Sequence, residues 1–273
     1  MMKAMIDFLL KNKPRSRSLI IVLLVLAILL PLWWQAGLWY RERLLKDARV
    51  RFTETAAVHA DLLAARIQQR LFVLKGLKAF TEAHITSNTE IEGVKFAPFA
   101  AGLASGVAGI RTVAIAPGGT TLFLHPREGN EGQIGQDLIR DRRAPVRADV
   151  QRAIRTRRIV LSGPYEVRPK VLQLAARQAI YSGETSFWGL VSVECDLTPL
   201  LAEAGLDPAP VGRNLLLQDR GNHVLVGDKT VLRGNPVTAM VDLPDGPWKL
   251  SVLPAGGWDA AVGEELLQFR GAA

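Results

Sequence analysis

Residues 125 to 138, HPREGNEGQIGQDL, place one histidine, two glutamates, one aspartate and three glycines directly after an apolar run. Three chemistries could use such a set. A histidine beside a glutamate can move protons in a hydrolase, which would centre on His125 and Glu128. Carboxylates with a histidine can hold a metal ion. Glycines at every third position, here Gly129, Gly132 and Gly135, can turn backbone N–H groups toward a phosphate. Each lacks a necessary companion. His59, His84, His125 and His223 are scattered without metal-ligand spacing, no lysine follows the glycines, and the chain has no G-x-S-x-G elbow or Walker loop. No catalytic residue, metal or cofactor is expected, and the stretch reads as a connection.

Asp137 near its end and Asp141 just beyond lead into a run with eight arginines between Arg140 and Arg158. So many guanidiniums could cradle an anion. A helix from about 145 to 156, however, puts Val146, Val150, Ala153 and Ile154 on one face and spreads Arg147, Arg152, Arg155 and Arg158 over the other, the pattern of a solvated surface. The aspartates have two uses. A carboxylate ahead of a helix can cap its unpaired first-turn amides, or accept hydrogen bonds from the N–H groups of a bound molecule. The sequence leaves both open.

The net charge of +8, from 34 Lys and Arg against 26 Asp and Glu, would suit nucleic acid. Its distribution does not. Residues 1–51 hold ten basic against three acidic side chains, and the rest of the chain is nearly neutral. No aromatic residues interleave the arginines, so nucleic acid is not an expected partner. The basic segment brackets an apolar one, LIIVLLVLAILL from Leu19 to Leu30, which continues through Trp33 and Trp34 to Trp39. About 20 such residues cross a hydrocarbon core of about 30 Å, and Trp33, Trp34, Trp39 and Tyr40 supply an aromatic belt. A transmembrane helix is expected at 18–40, following a cytoplasmic N-terminus of residues 1–17. Lysines and arginines tie at five on each side of the span, so orientation rests on the scarcity of acids before it. The expectation is a bacterial inner-membrane protein, single-pass in this chain, with residues 41–273 in the periplasm. The lone Cys195 cannot form an intramolecular disulfide. In SVECDL it is either a small buried side chain or a reactive thiol.

Residues 41–85 lack proline and contain one glycine, with Leu63, Ile67, Leu71, Leu74 and Leu77 spaced by three and four. That is a stalk helix whose stripe covers either the following domain or a second copy's stalk. Beyond a helix near 90–103 the pattern turns to short β runs: IRTVAIA and TLFLH joined through Pro117, Gly118 and Gly119, then IVLSG (159–163), QLAARQAIY (173–181) and FWGLVSVECDL (187–197). DPAPVG (207–212) reads as a linker. A second β set follows: RNLLLQD, NHVLVGD, PVTAMVDL and PWKLSVL, the last pair turning through Pro244, Asp245 and Gly246. Helices preceding strands that surround a helix, then a second sheet, give an α+β class.

In this order and spacing, GIRTVAIAP, HPREGNEGQIGQDLIRDRR, AIRTRRIVLSGP, ARQAIY and FWGLVSVECDL resemble the CHASE domain, the extracytoplasmic sensory module of bacterial and plant membrane receptors. The resemblance covers about residues 70–205 firmly. It implies a transmembrane helix and stalk helix followed by tandem PAS-like antiparallel-sheet domains, a membrane-distal ligand-binding domain at 86–206 and a membrane-proximal one at 207–273. It implies ligand contacts from Asp137, with Asp141 as a rival, and from Leu161 and Ser162 on the strand Val160–Pro164. The family's next strand carries a proline where this chain reads Gln178, Ala179, Ile180 and Tyr181, so Tyr181 enters a pocket different from that of cytokinin receptors. The function implied is that of a small-molecule sensor whose stalk and membrane helices control a cytoplasmic kinase or cyclase. In the family a second membrane helix leads to that output; here the chain stops where it would begin, as a fragment or with the output supplied elsewhere. The chain itself is expected to be no enzyme. Expected partners are an unknown small-molecule ligand, the membrane, and a second copy through the stalk. Two other classes compete: an anchored module docking a periplasmic protein, and an anchored hydrolase built on His125 and Glu128.

Overall fold

The computed structural model describes residues 14–168, 171–206 and 213–271; the expected linker at 207–212 and most of the cytoplasmic N-terminus lie outside them. The class is α+β with antiparallel sheets, as the pattern predicts. The chain divides into two compact units, residues 1–51 with 254–273 and residues 52–253, so the expected boundary at 206/207 falls inside the second.

Helix α1 (Pro14–Thr86) begins in the first unit. Ile21, Leu24, Leu29 and Trp34 are each more than half exposed, so the helix is apolar on every side there, which water does not favour. Among the described residues it is the one helix long and apolar enough to cross a membrane. Within the same unit, Leu44 and Ala48 pack with Val262 of a C-terminal helix (Gly257–Gly271), and Tyr40 stacks on Phe269 at 4.4 Å. The tail after the last strand, expected to belong to a sheet domain, is therefore helical over Gly257–Gly271.

In the second unit α1 buries Leu63, Ile67, Leu71, Leu74 and Leu77, the whole predicted stripe. Helix α2 (Gly93–Ala104) follows, then β1 (Ile110–Pro117), β2 (Phe123–His125), α3 (Ala144–Thr156), β3 (Val160–Arg168), β4 (Val171–Ser182) and β5 (Ser186–Asp196). These strands form one sheet in the order β2-β1-β5-β4-β3. One face of it gathers Val113, Ile115, Leu174, Ala176, Val191 and Val193. The other packs Ala116, Val160, Ala179 and Leu190 against Val146, Val150 and Ala153 of α3. Burying each valine contributes roughly 2 kcal/mol, so this stripe fixes α3 on the sheet. Arg152 departs from the predicted solvated face: its side chain is only 15% exposed, held between two aspartates.

After the short α4 (Leu197–Glu203), β6 (Arg213–Gln218), β7 (Val224–Gly227), β8 (Val237–Val241) and β9 (Trp248–Pro254) form a four-stranded sheet in the order β7-β6-β9-β8. The predicted Pro-Asp-Gly turn joins β8 to β9, with Gly246 N–H donating to Leu243 O.

Candidate ligand-binding site

Strand alternation decides which side chains meet. Register pairs Thr112 with Glu194, Glu194 with Ala175, and Ala175 with Ser162, so these four share the sheet face that α3 covers, together with Arg177 two residues along β4. Strand β3 then slips. Between Ser162 and Tyr165 its register shifts, so that Tyr165 faces Gln173. This bulge returns Tyr165 to the same side of the sheet. Gly163 permits it, with φ at +106° and a position where a Cβ would stand 2.7 Å from the Gln173 carbonyl oxygen.

Over this floor runs the loop whose composition suggested chemistry. Gly129 and Gly135 adopt left-handed φ values of +74° and +79°, and Gly132 sits in the short turn Glu131–Gln133. Three backbone bonds stitch the loop to the β1–β2 connection: Thr121 N–H to Gln136 O, Gly135 N–H to Thr121 O, and Leu138 N–H to Gly119 O. Between loop and sheet lies a cavity of about 820 Å³, lined by Gly132 to Asp137, Arg140 to Arg143, Tyr165, Gln173, Ala175 and Glu194.

The two aspartates line this cavity but are committed elsewhere. Asp137 Oδ1 accepts from the backbone N–H groups of Ile139 and Arg140 at 2.9 and 3.0 Å. Buried Asp141 accepts from Arg143 N–H, Nε and Nη2 and from Gln136 Nε2, all within 3.0 Å. Neither occupies the N-cap position of α3, which is Arg143. The Arg143 guanidinium holds the Asp141 carboxyl below the usual carboxylate range. A carboxyl depressed in the folded state contributes stability above its unfolded pKa and loses it as pH falls through the folded value. Melting temperature measured from pH 7 to pH 3 should therefore fall more steeply in the natural protein than in Asp141→Asn, which should already be destabilised by about 1–2 kcal/mol at neutral pH. Parallel curves would refute this role.

Of the other predicted residues, Ser162 is buried on the cavity face next to Ala175. Leu161 pairs with Ala176 and lies on the opposite face, since neighbours on a strand alternate. Tyr181 donates to Ile154 O at 2.7 Å, meets Phe187 edge-on and joins the apolar cluster under α3, outside the lining of this cavity. Cys195 is buried, and burial pushes its thiol up to about 12, the state of a small packed side chain.

Sequence reasoning passed over Tyr165, Gln173, Arg177 and Glu194. Tyr165 donates to Asp149 Oδ2 at 2.9 Å, and burial raises its phenol to about 12, so it stays a donor. Asp149 in turn accepts from Arg152, which also donates to Asp245 in the β8–β9 turn of the second sheet. Glu194 accepts from Gln133 at 3.0 Å, Thr112 at 3.2 Å and Arg177 Nη2 at 3.5 Å.

No family model matches the chain, and no curated protein matches it. Solved structures do. The ligand-binding domain of the Pseudomonas aeruginosa PAO1 amino acid chemoreceptor PctB, in complex with L-Arg, aligns with a TM-score of 0.53 at 16% identity, over 76% of this chain and 94% of that one. That of the chemoreceptor PctC from the same organism, in complex with GABA, gives 0.51 at 14%, over 75% and 98%. An extracellular ligand binding receptor from Desulfohalobium retbaense DSM5692 gives 0.53 at 12%, over 74% of this chain but only 40% of that one. The chain thus spans less than half of the Desulfohalobium receptor and nearly all of the two Pseudomonas domains. At these identities the likeness is one of fold alone.

Proposed function

We propose that this chain is the extracytoplasmic sensor region of a membrane-bound signalling receptor of the CHASE type, binding a small molecule between the five-stranded sheet and the 132–143 loop. The observation that carries this reading is the 820 Å³ cavity, which a small metabolite fits and whose walls offer charges of both signs. The solved neighbours support it, since the PctB domain is in complex with L-Arg and the PctC domain with GABA. The apolar helix from Ile21 suits a single span of a bacterial inner membrane, with the N-terminus cytoplasmic and the sheets periplasmic. A cytoplasmic kinase or cyclase would supply the output, and the chain itself would catalyse nothing.

Pairing of two copies through the stalk would use a different face from the stripe first considered, which is buried within the chain. Val58, Leu62, Ala65 and Phe72 are exposed on α1 at spacings of four, three and seven, the spacing of a heptad seam interrupted by the polar Gln69.

Thermal melting of the full chain in detergent against a metabolite library that includes amino acids tests the sensor reading. A binder at about 100 times its Kd should stabilise the native state by about 2.7 kcal/mol. A library without any stabilising compound would sink the reading.

A further inference from the structure

Arg177 stands in the middle of β4 with its side chain 1% exposed, and the residue is among the largest fully buried ones in the protein. A buried guanidinium is expected to have its donors paired. Among the described residues Nε and Nη1 have no partner, and Nη2 reaches Glu194 Oε1 only at 3.5 Å, the limit of a hydrogen bond. The group lies behind the cavity wall: its Cζ is 6.0 Å from the Tyr165 ring centroid, and Tyr165 and Glu194 both line the cavity. The acids there point the other way. Asp137 and Asp141 are occupied by their own loop, while Glu194 also accepts from Gln133 and Thr112. The largest unused capacity at this site is therefore the pair of buried, unpartnered guanidinium donors, which an acceptor would satisfy.

We infer that the molecule bound in this cavity carries a carboxylate, and that Arg177 reads it in place of Glu194. This rests on the sensor reading and names its ligand class. Bidentate pairing with a guanidinium takes Nη2 together with Nε or Nη1. A ligand carboxylate that uses the fork must thus displace Glu194 from Nη2, leaving Glu194 on Gln133 and Thr112. Glu194 serves as the stand-in that keeps the buried charge compensated until the ligand arrives.

The probes are acetate, lactate and succinate, each against its amide (acetamide, lactamide, succinamide), at constant ionic strength. Full-length protein in detergent is followed by thermal melting and calorimetric titration. At least one acid should stabilise the protein where its amide does not. Arg177→Lys, which keeps the charge but loses the fork, should weaken that acid at least roughly tenfold. Glu194→Gln removes the competing negative charge, leaving Arg177 only a weaker neutral amide oxygen to give up, and should strengthen that acid several-fold. Equal responses to acid and amide in every pair, or a Glu194→Gln variant that binds the acid no more tightly, overturn the inference. Stabilisation by neutral compounds from the library together with either result would leave the sensor reading standing and remove only the carboxylate.

Discussion

Glu203→Ala is expected to lower the stability of the protein by about 3 kcal/mol, the cost of leaving a buried charge without its counter-charge. The charge is Arg70 of α1, whose side chain is 3% exposed and whose Nη2 meets Glu203 Oε1 at 2.9 Å. Arg70 also donates to the carbonyl oxygens of Arg66 and Ala108, so one side chain ties the stalk helix to the start of β1 and to α4. Those carbonyls solvate the guanidinium but carry no net charge, and Arg66 is the other cation beside Glu203. The melting temperature should drop by roughly 6–12 °C for a unit of this size. Arg70→Met combined with Glu203→Ala should recover part of the loss, because an apolar side chain of similar length needs no compensation. The contrasting case is Lys78–Glu82, an i,i+4 pair on the same helix with both side chains about a third exposed or more. Breaking it should cost at most about 0.5 kcal/mol. Equal effects at the two pairs would show that Arg70 is not the fastening point of the stalk.

The gap between what the sequence discloses and what the site uses follows from the range of the interactions. Periodicity is local, so the stalk stripe from Leu63 to Leu77, the apolar face of α3 and the two β sets are legible in it, and the structure buries or pairs them accordingly. Gly163–Pro164 reads as a strand end, because proline removes a ladder donor. The chain instead bulges there and continues as β3, which is how Tyr165 reaches the cavity unannounced. Arg177 and Glu194 were in plain view as charges within apolar strands. Their isolation was a signal, since an unpaired charge does not persist in a core, but the partner of each is on another strand. The family resemblance puts Leu161 and Ser162 in one pocket, whereas the alternation of a strand places these neighbours on opposite faces.

Asp245 shows the same limit at longer range, and its removal should have the second large effect. It sits in the turn joining β8 and β9, with its side chain 11% exposed. Its Oδ2 accepts from the backbone N–H of Leu161 at 3.0 Å, its Oδ1 from Arg152 of α3, and Arg220 stands 3.8 Å away. One carboxylate thus fastens the four-stranded sheet to the five-stranded one. Asp245→Ala leaves the Arg152 guanidinium, 15% exposed, with Asp149 as its one carboxylate beside the Leu161 carbonyl, and the Leu161 amide with no acceptor among the described residues. The loss should reach about 3 kcal/mol, and it should be uneven. In hydrogen exchange followed by mass spectrometry, amides of β6 to β9 should exchange roughly 100-fold faster, since about 2.7 kcal/mol of opening free energy corresponds to that factor. Amides of β1 and β5 should change little. The Leu161 amide should lose protection with its acceptor. The geometry also bears on communication, since Tyr165 on the cavity wall reaches Asp245 through Asp149 and Arg152. A compound that stabilises the natural protein through the cavity should protect both sheets in it, and only the five-stranded sheet in Asp245→Ala. Protection of both sheets in the variant would mean that the cavity and the second sheet are joined by some other path.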